Sequence, residues 1–451
     1  MNTKILKLIL VILLAAFLRL WQLSSVPPSP SLDEVSIGYN AYSILQTGRD
    51  EYGILFPILL RAYDDWRPAM HVYTSLPFVK LLGPSALAVR LPSAILSILT
   101  VLATYFLVKR LCKNESIALI ATLLLAISPW HIYISRLGHE VNEGLAFAVL
   151  AVLFSFKKQV LPAVLFFILA FISYHTDKAF IPLLLFGSLL IFWKQVILVK
   201  KKILVGLCIA VVAIAPFIRE SVSSEGLSRM KGANVFAAQE PRFYERVQFL
   251  AEAGEKHDLI GEILYNRRIL AGEILFSGYI SHFNPSWLFA NIADEKHKIP
   301  SIGLLYFWEL PFVLLGLFLL VTTKGIDRKI KQFIFLWIIV APVAASFASD
   351  TPHTMRSFVF LPTWQIVSAI GIVAVLDFFG RKKLVRGIFL GVVLLSTLYL
   401  YKQYFEVFPK TQSPSFQYAL SQAVPFVLLH EKQYDKIVFS NEDNLTQAYM
   451  F

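Results

Sequence analysis

Apolar runs of roughly 15 to 22 residues, broken by short basic stretches, recur along this 451-residue chain. A helix that crosses a bilayer needs about 20 mostly apolar residues, so the pattern predicts a polytopic, all-α membrane protein. The runs fall at 5–23, 86–108, 115–134, 140–156, 159–174, 179–193, 203–218, 303–322, 332–348, 357–378 and 386–402. Six basic clusters punctuate them: Lys4/Lys7, Lys109/Arg110/Lys113, Lys157/Lys158, Lys194/Lys200/Lys201/Lys202, Lys324/Arg328/Lys329/Lys331 and Arg381/Lys382/Lys383/Arg386. Lys and Arg collect in short cytoplasmic loops. Two apolar runs lie between each successive pair of clusters, which gives eleven spans, a cytoplasmic N-terminus and an external C-terminus. Lys4 and Lys7 ahead of Leu8 to Leu18 have the look of a signal peptide. No small-residue cleavage site follows, and Arg19-Leu20-Trp21 reads as an interfacial anchor, so the first run is taken as a retained span.

On this topology the membrane domain covers 1–402, and three external segments are long enough to matter. Residues 24–84 mix aromatics with both signs of charge and predict two surface helices near 33–47 and 69–82. Residues 219–302 show helical patterning around 242–275. Their Phe276, Tyr279, His282, Phe283 and Trp287 are unusually apolar for an outside segment and predict a lid that folds back over a cavity. Residues 403–451 read as the start of a small external domain, with a strand over Tyr434-Asp435-Lys436-Ile437-Val438-Phe439 and a remainder missing from the sequence. Repeats, low-complexity tracts and coiled coils do not occur.

Composition agrees with a membrane protein: 57% of residues are hydrophobic and only 16% charged, with 37 Phe. A soluble chain of this length carries more charge. The net charge of +12 therefore does not point to nucleic acid, since many of its lysines and arginines sit in the short loops between spans. The two cysteines, Cys112 and Cys208, fall far apart on this topology, which argues against a disulfide.

Candidate chemistry concentrates on the external side. Ser31-Leu32-Asp33-Glu34 follows the first span; Ser31 and Glu34 have the spacing of a capping box, and Asp33 suits the positive end of a helix dipole. Asp50, Glu51, Asp64, Asp65, Arg67 and His71 lie in the same loop. Further external turns carry Trp130-His131 through Arg136-Leu137-Gly138-His139-Glu140, His175-Thr176-Asp177-Lys178, and Asp350-Thr351-Pro352-His353-Thr354-Met355-Arg356. Each cluster alone reads equally well as a solvated loop. Their convergence on one membrane face suits a lipid phosphate with an outward head group. There is no Walker loop, no G-x-G-x-x-G after a strand, and no zinc-ligand pattern. Asp64-Asp65 with Asp50-Glu51 is the one candidate for a divalent cation, and no cofactor is required by the pattern.

Several stretches resemble, in order along nearly the whole chain, the GT-C membrane glycosyltransferases of the protein O-mannosyltransferase and aminoarabinose-transferase-like branch. They are Leu32-Asp33-Glu34, Tyr39-Asn40-Ala41, Thr47 to Gly53, Trp66-Arg67-Pro68-Ala69-Met70-His71-Val72-Tyr73, Arg90-Leu91-Pro92-Ser93-Ala94, Ser128-Pro129-Trp130-His131 with Ser135-Arg136, Gly303 to Pro311, and His353 to Pro362. Relatives often carry Lys where Arg67 stands. The resemblance implies a GT-C fold, a polyprenyl-phosphate sugar donor, an inverting displacement and an active site at the outer face of a plasma (inner) membrane. It implies Asp33 as the catalytic acid with Glu34 in support. Tyr39, Arg67, His71, His131, Arg136, Lys178, His353 and Arg356 are the candidate substrate contacts. The acceptor would be a protein, a lipid or an envelope glycan. Two rival readings are a flippase or transporter of lipid-linked saccharides and a polysaccharide polymerase. The near absence of charge at mid-span argues against a transporter.

Overall fold

The computed structural model describes residues 3–62, 65–223, 235–291, 297–380 and 382–438. A helix stands on each of the eleven apolar runs. In the first half these are α1 (Thr3–Leu20), α4 (Ala86–Cys112), α5 with α6 (Glu115–Ile127, Pro129–Ser135), α7 (Glu140–Phe156), α8 (Val160–Ser173), α9 (Asp177–Leu198) and α10 (Lys200–Ser221). Between α1 and α4 lie α2 (Leu32–Thr47), a hairpin of β1 (Leu59–Ala62) and β2 (Asp65–Pro68), and α3 (Met70–Leu82). Both predicted surface helices are therefore present; the hairpin was not expected.

Among the described residues six helices are long and apolar enough to span a bilayer unaided, and a seventh if the 55° bend between α5 and α6 counts as one broken span. The bend has a local cause. Pro129 cannot donate into the preceding turn, and the Ser128 hydroxyl caps the new helix by accepting the His131 N–H. The remaining runs form shorter helices, or helices such as α1 and α7 that carry ionisable groups. The chain is a multi-pass membrane protein. Many side chains on α9, α10 and the Lys383–Tyr401 helix are exposed and apolar, among them Phe186, Leu190, Val212 and Leu395, as suits surfaces that meet lipid.

The core is built where helices come closest. Leu310–Thr322 crosses Thr363–Phe378 at a pair of glycines: a Cβ on Gly316 would sit 2.0 Å from the Val367 carbonyl oxygen, and one on Gly371 2.2 Å from that of Phe312. Only small residues allow backbones so near, and within lipid such close packing is a main source of helix association. Trp130, Trp287, Phe358, Phe360 and Trp364 interlock beside this crossing in edge-on and tilted contacts.

Two expectations for the ends need correction. Arg19 is not an interfacial anchor: it is fully buried and donates to the carbonyls of Ala15, Leu125 and Ala126. Residues 403–411 do not stand apart from the membrane helices. The last membrane helix continues as a wide turn through Val407 and a further turn to Thr411, and Tyr404, Phe405 and Phe408 pack against Tyr133 and Arg136. Residues 434–438 form no strand, and Phe439 lies outside the described residues.

Candidate active site

The loop between α1 and α4 is held by one saturated ion pair. Ser31 caps α2 and forms the expected capping box: its hydroxyl accepts the Glu34 N–H, and its own N–H donates to Glu34 Oε2 at 2.8 Å. Arg90, at the start of α4, donates Nε–H to Glu34 Oε1 at 2.7 Å and Nη2–H to Oε2 at 3.1 Å. Its other donors reach the carbonyls of Leu23, Pro27 and Ser29. The Gly138 N–H, 2.8 Å from Glu34 Oε1, fills the last position. That approach requires glycine, because a Cβ at 138 would lie 2.5 Å from the Val89 side chain. All five guanidinium N–H groups and four lone-pair sites of the carboxylate are used, and both side chains are buried. Burial alone would raise the Glu34 carboxyl, but Arg90, Gly138 and Ser31 together hold it below the ordinary carboxylate range. Both Glu34 oxygens are thus taken up within the protein.

One residue earlier the chemistry differs. The Asp33 side chain is 41% exposed and pairs through Oδ1 with Arg67, which β2 brings across from the hairpin. Register in the hairpin sets Arg67 opposite Leu60, with Trp66 opposite Arg61. His139, at the N-cap of α7, places Nε2 3.7 Å from Asp33 Oδ2. Its Nδ1 accepts the Val141 N–H at 3.3 Å and lies 3.2 Å from Glu140 Oε2. The Tyr174 ring stands edge-on to the imidazole at 6.0 Å. Nearby, the His175 ring nitrogen contacts the Trp66 carbonyl at 3.1 Å, and Lys178 donates to Ser221 Oγ at 2.8 Å. Tyr39 is half-buried on α2.

Three predicted substrate contacts are instead internal braces. His71 is buried, with Nδ1 2.9 Å from Glu143 Oε1 and Nε2 2.9 Å from the Val89 carbonyl. Both nitrogens face acceptors. Burial opposes the charged ring, but Glu143 outweighs it and raises the imidazole above its ordinary value. His131 is fully buried, with Nδ1 2.6 Å from Arg19 Nη2 and its ring stacked on Phe358. Arg136 is fully buried too; it donates to the carbonyls of Leu18, Gln22 and Val26 and lies over the Phe405 ring.

His353 and Arg356 belong to a second cluster. Arg356 pairs with Asp350 at 2.5 Å, and His353 Nδ1 accepts the N–H groups of Met355 and Arg356. The His353 N–H donates to His282 Nε2 at 3.2 Å, and the His297 ring lies 5.9 Å from that of His353. Burial and then Arg356 depress His353 to about 3, and burial depresses His282 to about 4. These contacts show part of the 219–302 segment folded back. Trp287 packs on Trp130, Phe283 on Phe360, and the Trp130 Nε1–H donates to the Thr354 carbonyl, while Phe276 remains exposed.

Of the acidic residues read as a cation site, Asp50 and Glu51 bond within the first loop. Asp50 Oδ1 accepts the N–H groups of Tyr52 and Ile54, and Glu51 exchanges hydrogen bonds with the Asn40 amide. Asp64 and the side chain of Asp65 lie outside the described residues. Among the described residues no three His, Cys, Asp or Glu side chains are grouped to hold a metal. Cys112 and Cys208 are both free, as their spacing implied.

Comparison with known structures fixes the fold. The AglB oligosaccharyltransferase of Archaeoglobus fulgidus, in complex with an inhibitory peptide and a dolichol-phosphate, superposes with a TM-score of 0.54 at 14% identity, over 98% of this chain and 61% of that one. The same organism's enzyme tethered to an acceptor peptide containing the NVT sequon gives 0.55 at 12% identity, over 99% and 59%. This chain has the GT-C fold. ArnT from Cupriavidus metallidurans bound to undecaprenyl phosphate scores 0.48 at 13% identity, over 82% and 60%. The chain thus spans about three fifths of the length of these GT-C proteins. Residues 67–219 match the family described as dolichyl-phosphate-mannose-protein mannosyltransferase, a stretch that begins at Arg67 and includes His139. No curated protein matches the chain as a whole.

Proposed function

We propose that the protein is an inverting glycosyltransferase that moves a sugar from a polyprenyl-phosphate donor to an acceptor hydroxyl at the outer membrane face. The observation that carries this reading is the contrast between neighbours: Glu34 is enclosed and fully bonded, whereas Asp33 stands 41% exposed beside a cation. A hydroxyl is a poor nucleophile until a placed carboxylate takes its proton in the transition state. Asp33 is that carboxylate. The acceptor oxygen forms its bond to the anomeric carbon as the bond to phosphate breaks, and the electron pair leaves on the phosphate. Arg67 is placed to stabilise that growing charge, and its ion pair with Asp33 holds the base in position until a donor phosphate competes for the guanidinium. Lys178 and Arg356 are further cations for the donor. Tyr39 is a half-buried aromatic on the same helix as the base. The AglB and ArnT structures, described as holding dolichol-phosphate and undecaprenyl phosphate, favour the donor class, and the mannosyltransferase family match favours a hexose. Residues 1–402 act as the transmembrane glycosyltransferase domain, with 24–84 as its catalytic loop and 219–302 as its lid, in a plasma (inner) membrane with the N-terminus cytoplasmic.

The test is consumption of one member of a panel of polyprenyl-phosphate sugars, mannose included, by the purified protein. Asp33→Asn should abolish it, because loss of a general base alone lowers rates about 10²–10⁴-fold. Transfer by that variant within a few-fold of wild type would remove Asp33 from the chemistry.

A further inference from the structure

We infer that a cavity at the membrane face opposite Asp33 holds one anionic phospholipid, its phosphate among Lys158, Lys201 and Lys202 and an acyl chain along Leu161, Pro162 and Val205. The cavity, about 530 Å³, lies between the starts of α8 and α10. That volume is in the usual small-molecule range of about 300–1,000 Å³. Both helices begin at one face. The far end of α8 leads to Tyr174, beside His139, and α10 ends at Ser221, which Lys178 reaches. At about 1.5 Å of rise per residue, the 14 residues of α8 put roughly 20 Å of helix between the cavity and that corner. The basic clusters predict this face to be cytoplasmic.

Three observations converge on a lipid. First, the lining joins the three lysines to aliphatic side chains, of which Leu161 and Val205 are each 54% exposed. On each helix the apolar residues follow the lysines by one turn, deeper into the span, which is the order of head group and chain in a phospholipid. Second, the cations lack a counter-charge. They stand at the N-terminal ends of two helices, where the dipole already favours an anion, and neither helix has a side-chain cap. No Asp or Glu occurs in α8, or in α9 and α10 between Lys178 and Arg219, so these three helices supply no negative charge at that face. A phosphate does, and basic pockets between membrane helices are where anionic head groups bind. Third, the helices are fixed just beyond the cavity. Buried Gly206 brings α10 onto α8, and a Cβ there would lie 2.6 Å from Val164 Cγ2. The alternative is that these lysines only orient the spans and select no lipid.

Native mass spectrometry of the full chain, released from detergent micelles after incubation with phosphatidylglycerol or phosphatidylcholine, separates the two. One phosphatidylglycerol should stay bound, and phosphatidylcholine should not. The triple variant Lys158→Gln, Lys201→Gln, Lys202→Gln should bind about 100-fold more weakly, since each lysine near an anionic lipid contributes about five-fold. Val205→Trp fills the cavity and leaves every charge in place. It should melt like wild type yet lose the lipid, whereas a mere charge bias would leave its binding intact. Wild type without a retained phosphatidylglycerol, equal retention of both lipids, or wild-type affinity in Val205→Trp would overturn the inference. So would displacement by inorganic phosphate, which would mean an anion site with no chain. Preference for undecaprenyl phosphate over phosphatidylglycerol would overturn it too, by giving the cavity to a carrier lipid. Should the triple variant not insert, Val205→Trp decides alone. No readout needs turnover, so the result is independent of the chemistry at Asp33.

Discussion

Asp33 and Glu34 are chemically near-identical neighbours, yet their substitutions should have opposite effects. Removing one partner of a buried ion pair leaves the other charge uncompensated, at a cost of about 3–5 kcal/mol. Glu34→Ala strands the Arg90 guanidinium and should lower the melting temperature of the detergent-purified protein sharply. Asp33→Asn keeps an oxygen that can accept from Arg67 and removes a charge that is 41% exposed, so it should melt closer to wild type than Glu34→Ala does. A stable Glu34→Ala protein would show that Arg90 finds its partners elsewhere. The capping box was legible in Ser31 and Glu34, but the depth of Glu34 was not: local spacing says nothing about Arg90, 56 residues away. The same blindness explains His71, His131 and Arg136. Each looks like surface chemistry in an external turn, and each is turned inward by a tertiary partner. His139 was named only with its turn, since nothing local marks its approach to Asp33.

At the scale of elements, the helices were readable because the apolar period persists over many turns. The β1–β2 hairpin was not, since each strand has four residues and no clean alternation, and its register follows from packing on the first loop. Residues 434–438 of the strand expected at 434–439 pair with no strand among the described residues, and composition alone does not make a sheet. The Gly316–Gly371 crossing supplies an element-scale prediction. Gly371→Val would drive two methyls into the Phe312 backbone; overpacking of this kind costs about 1–3 kcal/mol and forces the helices apart. The variant should lose thermal stability while the isolated first loop chemistry, read as donor binding, persists. An unchanged melting point would mean that the two helices do not depend on this contact.

For the whole molecule, two protonation events should bound the range of stability. His353 is depressed from its ordinary 6.5 to about 3, and Asp350, which burial would raise, is held low by Arg356 and His353. A depressed group leaves the unfolded chain the stronger proton binder, so stability present above pH 6.5 is lost as pH falls toward 3. His71 is raised, so the stability it contributes is complete below 6.5 and drains away as pH climbs through its elevated value. Melting temperature against pH should therefore be a dome; His353→Gln should flatten its acid side and leave the alkaline side alone. A symmetric loss on both sides would contradict the assignment. Topology belongs to this scale as well. In a cysteine-free background, single cysteines at the exposed positions 46 and 328 should label from opposite sides of the membrane, the first from outside. Labelling of both from one side would break the two-runs-per-cluster rule from which eleven spans are expected. The fold class was legible because that rule uses the whole chain, whereas the site depends on a few contacts between distant segments.

The carbonyls that satisfy Arg19 lie about a hundred residues downstream, 107 for Ala126, and those that satisfy Arg136 lie 118 residues upstream at Leu18. During biosynthesis the first helix therefore leaves the ribosome with a guanidinium that has no long-range partner until α5 and α6 have been made. A cation in that position is costly within hydrocarbon and must wait near the interface. The first loop, and Asp33 with it, can lock only when the third apolar run arrives. Nascent chains arrested before residue 115 should leave 24–84 open to protease, and chains arrested beyond 175 should protect it. The order of manufacture thus keeps Asp33 unplaced until the helices that confine its loop have been made.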